Sequence, residues 1–86
     1  VVDFACQPSV VFSGHRSGVC SLVFSHDSGL LASGSRDGDI VVWDIQAECG
    51  RNRLAGHQGP VNALLMPTPD TLLSAGKDMM VRVWDV

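Results

Sequence analysis

The sequence predicts an all-β fold, and three observations predict it. Val is the most frequent apolar residue, and nine glycines punctuate 86 positions. That composition suits short pleated strands between turns, and no helix-period stripe of Ala, Leu, Glu and Lys competes with it. Finally, a block pattern recurs at a fixed offset. Trp43-Asp44 returns as Trp84-Asp85, 41 residues on, and Gly14-His15 returns as Gly56-His57, 42 residues on. Self-similarity of that period marks stacked supersecondary units.

The elements follow in chain order. Residues Ser9–Phe12 read as the last strand of a preceding unit, and Val2-Asp3 stands where an earlier Trp-Asp would fall. The first full unit opens with a strand at Val19–Phe24. A second strand, Leu30–Ser35, leads into Arg36-Asp37-Gly38, a tight turn of hairpin type. A third spans Asp39–Asp44, and a fourth lies near Arg51–Ala55. The Glu48–Arg53 stretch, which overlaps its start, reads as an outer-edge loop. The second unit repeats the series at Val61–Met66, Thr71–Ala75 and Met80–Asp85. Its apolar positions Val61, Leu64 and Met66 answer Val19, Leu22 and Phe24. One residue is lost between Ser25–Gly29 and Pro67–Asp70, where a hairpin loop absorbs it. The chain thus divides into 1–13, the end of one unit; 14–55, a whole unit; and 56–86, a unit cut before its last strand.

Composition excludes several functions. The formal charge is −3, and the six cations, Arg16, Arg36, Arg51, Arg53, Lys77 and Arg82, are scattered. A nucleic-acid surface needs clustered cations, so direct RNA contact is not expected here. Cys6, Cys20 and Cys49 are odd in number and lack CxxC spacing, which reads as a reducing compartment, nucleus or cytosol. No leader and no membrane-spanning run is expected. Cys6, His15, Cys20 and His26 have no metal-finger spacing, so no metal is expected. Asp37-Gly38-Asp39 lacks the later acidic ligands of a calcium loop. The glycine-rich Ser33–Gly38 run joins strand to strand and so lacks the helix N-terminus that phosphate sites use. No cofactor and no small-molecule substrate is expected.

Ser33, His15 and Asp37 together suggest a hydrolase triad. The set occurs twice, however: Ser74, His57 and Asp78 repeat it on the structural period. A triad needs one exposed nucleophile beside oxyanion donors. No GxSxG elbow surrounds either serine. Duplication therefore points to a structural role, and no catalytic residue is expected.

The stretches GHRSGV…SLVFSHDSGLLASGSRDGDIVVWD and GHQGPVNALL…LLSAGKDMMVRVWD resemble two WD40 repeats. The resemblance covers essentially the whole chain. It implies a β-propeller fragment of about two four-stranded antiparallel blades, from a ring of typically about seven. A free-standing meander would instead leave sheet edges and blade faces bare. The resemblance also implies that His15 links Asp37 to Ser33, whose hydroxyl meets the indole of Trp43, with His57, Asp78, Ser74 and Trp84 doing the same. It implies a partner-binding rim carrying Cys20, Arg36, Asn62 and Lys77. The plainer reading of Arg36 and Lys77 is that of solvated turn cations.

LASGSRDGDIVVWDI, the ECGRNRLAGH segment and LLSAGKDMMVRVWDV are further similar to WD-repeat UTP-B subunits of the U3 small-subunit processome, of the U-three-associated protein twelve type. Val2-Asp3 departs by lacking Trp, and the Pro67–Asp70 turn is local to this chain. This finer resemblance implies a nucleolar, non-catalytic scaffold in ribosome biogenesis and rRNA processing. Its partners would be other UTP-B proteins, and its U3 (snoRNA) association indirect. An adaptor of another complex is the alternative, either a ubiquitin-ligase substrate receptor or a G-protein-β-like signalling scaffold.

Overall fold

A computed structural model describes residues 10–27 and 29–86. Val2-Asp3, Cys6 and Ser9 lie outside the described residues. Seven strands run in chain order: β1 (Val19–Phe24), β2 (Leu30–Ser35), β3 (Asp39–Asp44), β4 (Cys49–Ala55), β5 (Val61–Thr68), β6 (Thr71–Gly76) and β7 (Val81–Asp85). They form two antiparallel meanders, a four-stranded sheet β1-β2-β3-β4 and a three-stranded sheet β5-β6-β7. Val10–Phe12 enters no strand. Instead Phe12 stacks on Trp43, with ring centroids 4.7 Å apart.

Four boundaries differ from the sequence reading, the smallest at β6, which runs one residue further to Gly76, paired with Val61. β4 starts at Cys49 because Asp44 pairs with Cys49 and Trp43 with Gly50, across a bulge between Val42 and Trp43. The expected Glu48–Arg53 loop therefore shrinks to a turn that ends at Glu48, held at φ 56°. β5 runs through Pro67 to Thr68, where Thr68 pairs with Thr71 after a second irregularity. β7 begins at Val81, since Met79 occupies the left-handed region at φ 66° and the Met80 carbonyl closes the turn onto the Gly76 N–H.

Side-chain alternation assigns each sheet two faces. In the first sheet, Leu30, Ala32, Ile40 and Val42 point one way and are buried. In the second, Met66 and Leu72 meet them, with Leu64 and Trp84 packed alongside. The core is the layer between the sheets. The Ser21 hydroxyl bonds across it to the Val61 carbonyl at 3.0 Å. Gly34 makes the close approach possible, since a Cβ there would stand 2.8 Å from the Val61 side chain.

The layering is directional. Leu64, Leu72, Ser74 and Trp84 of the second sheet share the core-facing side. Their counterparts Leu22, Leu31, Ser33 and Trp43 share the opposite, open side of the first sheet. Equivalent residues therefore differ in exposure. Val19, Leu22 and Phe24 are 53%, 62% and 56% exposed, whereas Val61 and Met66 are 0% and 4% exposed and Leu64 is half-buried.

A candidate partner-binding rim and the networks beneath it

Each Ser–Trp pair follows from hairpin geometry. Leu72 pairs with Trp84 and Ser74 with Arg82, so the indole lies diagonal to Ser74 on one face. The same offset of ten residues relates Ser33 to Trp43. The indole N–H donates to the serine hydroxyl at 2.8 Å in both units.

In the second unit, the loop into β5 brings His57 over Ser74. Its Nε2 lies 2.7 Å from Ser74 Oγ, and its Nδ1 lies 3.1 Å from Asp78 Oδ1. The network itself assigns the tautomer. Nδ1–H donates to the carboxylate, the serine O–H donates to Nε2, and the serine oxygen accepts from the indole. Asp78 also accepts from the backbone N–H groups of Gln58 and Met80. Burial alone would raise its pKa, but the Gln58, His57 and Met80 donors outweigh burial and hold the carboxyl below its ordinary value. Gly76 makes room for this. A Cβ on it would stand 2.6 Å from His57 Nδ1 and 2.8 Å from Asp78 Oδ1.

In the first unit, His15 Nε2 lies 2.6 Å from Ser33 Oγ, but its buried Nδ1 has no partner. The Asp37 bond that the resemblance implied does not form. Asp37 instead accepts from the Ser35 hydroxyl and from the Asp39 N–H. Ser35 stands in the place of Gly76, so a side chain fills the space where His57 meets Asp78. The Ser35 hydroxyl, then the Asp39 N–H, hold the Asp37 carboxyl below its ordinary value. For His15, burial, followed by the nearby Arg53 charge, outweighs Asp37 and Asp39 and lowers the imidazole pKa below 6.5.

The rim is built on these supports. The Arg36 N–H donates to the Gly18 carbonyl at 2.9 Å, and the Lys77 N–H to the Pro60 carbonyl at 3.0 Å. Each turn is thus tied to the loop leading into its own unit. Cys20 and Asn62 follow those loops at the starts of β1 and β5, and Cys20, Arg36, Asn62 and Lys77 are all exposed. Gly38, at φ 96°, seats the first unit's turn against the His57 and Gly59 carbonyls. The two halves of the rim are therefore contiguous.

Sequence reasoning missed Ser35 and Arg53. Arg53 bridges Asp39 at 3.0 Å and the Gly14 carbonyl. The Ser35/Gly76 difference was visible in the aligned repeats. The Arg53 bridge depends on a strand register that no motif displays. Both network serines are buried and engaged by an indole, so neither presents an exposed nucleophile.

The WD40 family pattern (WD domain, G-beta repeat) matches residues 6–44 and 48–85. The chain is 39% identical over 81 residues to the target of rapamycin complex subunit wat1 of Schizosaccharomyces pombe, spanning 93% of this chain and 26% of the relative. It is 39% identical over 80 residues to the anaphase-promoting complex subunit cdc20 of Dictyostelium discoideum, spanning 85% and 16%. Among solved structures it resembles the computationally designed Ika4 protein, with TM-score 0.81 and 36% identity over 93% of this chain and 48% of that one. It also resembles U3-55K, with TM-score 0.80 and 36% identity over 87% and 23%. The chain spans about a quarter or less of these curated relatives. They belong to diverse assemblies, and the match does not single out a UTP-B subunit.

Proposed function

The chain belongs to the WD40 family, and on that premise we propose that it is a non-catalytic scaffold whose rim binds other proteins. The observation that carries this reading is the seating of the Arg36–Gly38 turn on the His57–Gly59 loop. It gives a continuous surface held from below by buried hydrogen bonds. Cys20, Arg36, Asn62 and Lys77 are the contact residues of this proposal, and 14–55 and 56–86 are its structural units. Such a platform supplies geometry, while the partner is chosen by the residues on it.

The finer reading places the protein in small-subunit rRNA processing, as a nucleolar component of the U3 processome among UTP-B partners, with U3 RNA associated indirectly. The sequence resemblance and the likeness to U3-55K support it. The second reading is an adaptor of another complex, supported by the likeness to wat1 and cdc20. Affinity capture from cells, with recovered RNA probed for U3, separates them. Recovery of U3 and pre-ribosomal proteins supports the first. Recovery of ligase or signalling subunits without U3 supports the second. Under either reading Arg36→Glu weakens a recovered partner; unaltered affinity for every partner would remove Arg36 from the rim.

A further inference from the structure

The hairpin that joins β5 to β6 departs from the repeat, and neither the networks nor the rim use it. Its sequence is Met66-Pro67-Thr68-Pro69-Asp70-Thr71, and Thr68 is the one serine or threonine of the 86 residues that proline follows. Pro67, Thr68, Pro69 and Asp70 are all exposed, whereas Met66 before them is buried. The equivalent tip of the first unit stays exposed at His26 and Asp27, although the second unit stands beside it. Exposure at this position therefore belongs to the hairpin tip and does not depend on a neighbouring unit. The first tip has a hydroxyl too, but Ser25 is buried, donating to Asp27 at 2.7 Å and accepting from the Leu30 N–H at 3.0 Å. In the second tip the pairing is irregular between Leu65 and Thr68, and one pair, Thr68 with Thr71, closes the end. Pro67 and Pro69 have no N–H to give to a ladder. Opening the tip breaks that one pair and leaves the pairs from Val61 to Leu65 in place.

We propose that Thr68 is a phosphorylation site for a proline-directed protein kinase. Such a kinase takes the pyrrolidine ring after the acceptor in a pocket with no partner for an N–H, where any other residue would bury an unpaired donor. Proline also biases the residue before it toward extended backbone, the shape in which a substrate strand lies in a kinase cleft. The Thr68 Oγ1 attacks the γ-phosphorus of ATP held by the kinase. The bond to the β–γ bridging oxygen breaks, ADP leaves, and the hydroxyl proton passes to the kinase's catalytic aspartate. The product carries a charge of about −1.5 to −2 at pH 7. The hairpin offers it carboxylates, Asp70 two residues on and Asp85 opposite Thr71, and no cation lies between Arg53 and Lys77 in the sequence. The phosphate thus adds to a negative patch. Because β5 runs from Asn62 to Thr68, that patch lies at the opposite end of the sheet from the rim, and the proposal does not depend on what the rim binds.

The test uses the full-length protein, purified from cells and treated with phosphatase. It is incubated in the folded state with ATP and a cyclin-dependent or a mitogen-activated kinase, and the tryptic peptide 54–77 is sequenced by mass spectrometry. Phosphate is expected on Thr68 with at least one of the two kinases, and not on Thr71 or Ser74 of the same peptide. Thr68→Ala and Pro69→Ala are each expected to lose it. Loosening of the turn by Pro69→Ala would raise access to Thr68, so loss in that variant reports the proline itself. Should Thr68→Ala lose its β circular dichroism, Thr68→Val removes the hydroxyl and keeps the shape, with the same outcome required. An unmodified Thr68 with both kinases, modification only after heat unfolding, or undiminished modification in Pro69→Ala would overturn the proposal.

Discussion

The two units place His, Ser, Asp and Trp at matching positions, yet their networks differ. In the second, proton donors run from indole to serine to imidazole to carboxylate. In the first, the run stops at His15 Nδ1, and Asp37 turns to Ser35. The second network faces a packed layer, with a neighbouring turn seated on its His57 loop. The first faces the open side of its sheet. A buried polar chain stabilises only when every member is satisfied, because an orphaned group keeps its desolvation cost. The comparison teaches that the motif supplies the residues, while packing by a neighbouring unit and one glycine complete the network.

The largest expected contrast comes from the serines. Ser74→Ala strips partners from both His57 and Trp84 in the packed layer and is expected to cost about 2–3 kcal/mol. Ser33→Ala, whose His15 partner is half-buried and already has an unpartnered Nδ1, is expected to cost less, about 1–2 kcal/mol. Urea denaturation at fixed chain concentration compares them, and equal losses would erase the distinction.

Gly76→Ser makes the second unit resemble the first. Its side chain enters the space between His57 and Asp78, so the unfolding midpoint should fall and the His57–Asp78 contact should be lost. Ser35→Gly in the first unit removes the group that engages Asp37. Imidazole nitrogen shifts report both, and an unchanged His57 signal in Gly76→Ser would separate the glycine from the network.

Acidification acts on the His15 imidazole and on the two network carboxylates in different windows. His15 titrates below 6.5 in the folded state, so the fold favours its neutral form. Its contribution is present above about pH 6.5 and is lost as pH falls through the lower folded value. Asp37 and Asp78 are held below 3.8, so their contributions persist down to that region and disappear as pH falls further. A melting series against pH should therefore show two steps, and His15→Gln should remove only the upper one. A single step in the unmodified chain would contradict this assignment.

The smallest effect is at Met79. It is exposed at φ 66°, where Gly38 holds the equivalent turn. Met79→Gly relieves the left-handed penalty and is expected to stabilise by about 0.5–1 kcal/mol, net of the freedom glycine adds to the unfolded chain. A loss of stability would show that Met79 contributes through its side chain.

Much of this architecture was legible because strands and turns carry local signals. The Arg36-Asp37-Gly38 turn, the period-two apolar positions and the ten-residue Ser–Trp spacing all fix nearby geometry. β4 began earlier than expected because a bulge at Val42/Trp43 sets its register. Phe12 carries strand-type chemistry, but in this structure it stacks on Trp43 instead. Which network face lies inside was not legible, because Leu22 and Leu64 carry the same side chain. Their burial depends on which sheet stands next to them.

The most direct test is long-range proton–nitrogen NMR of the imidazoles. The account predicts a hydrogen-bonded, exchange-protected Nδ1–H on His57 and none on His15. Protection of both would mean that the first unit completes its network without a neighbour, and protection of neither would mean that the His57–Asp78 link does not exist.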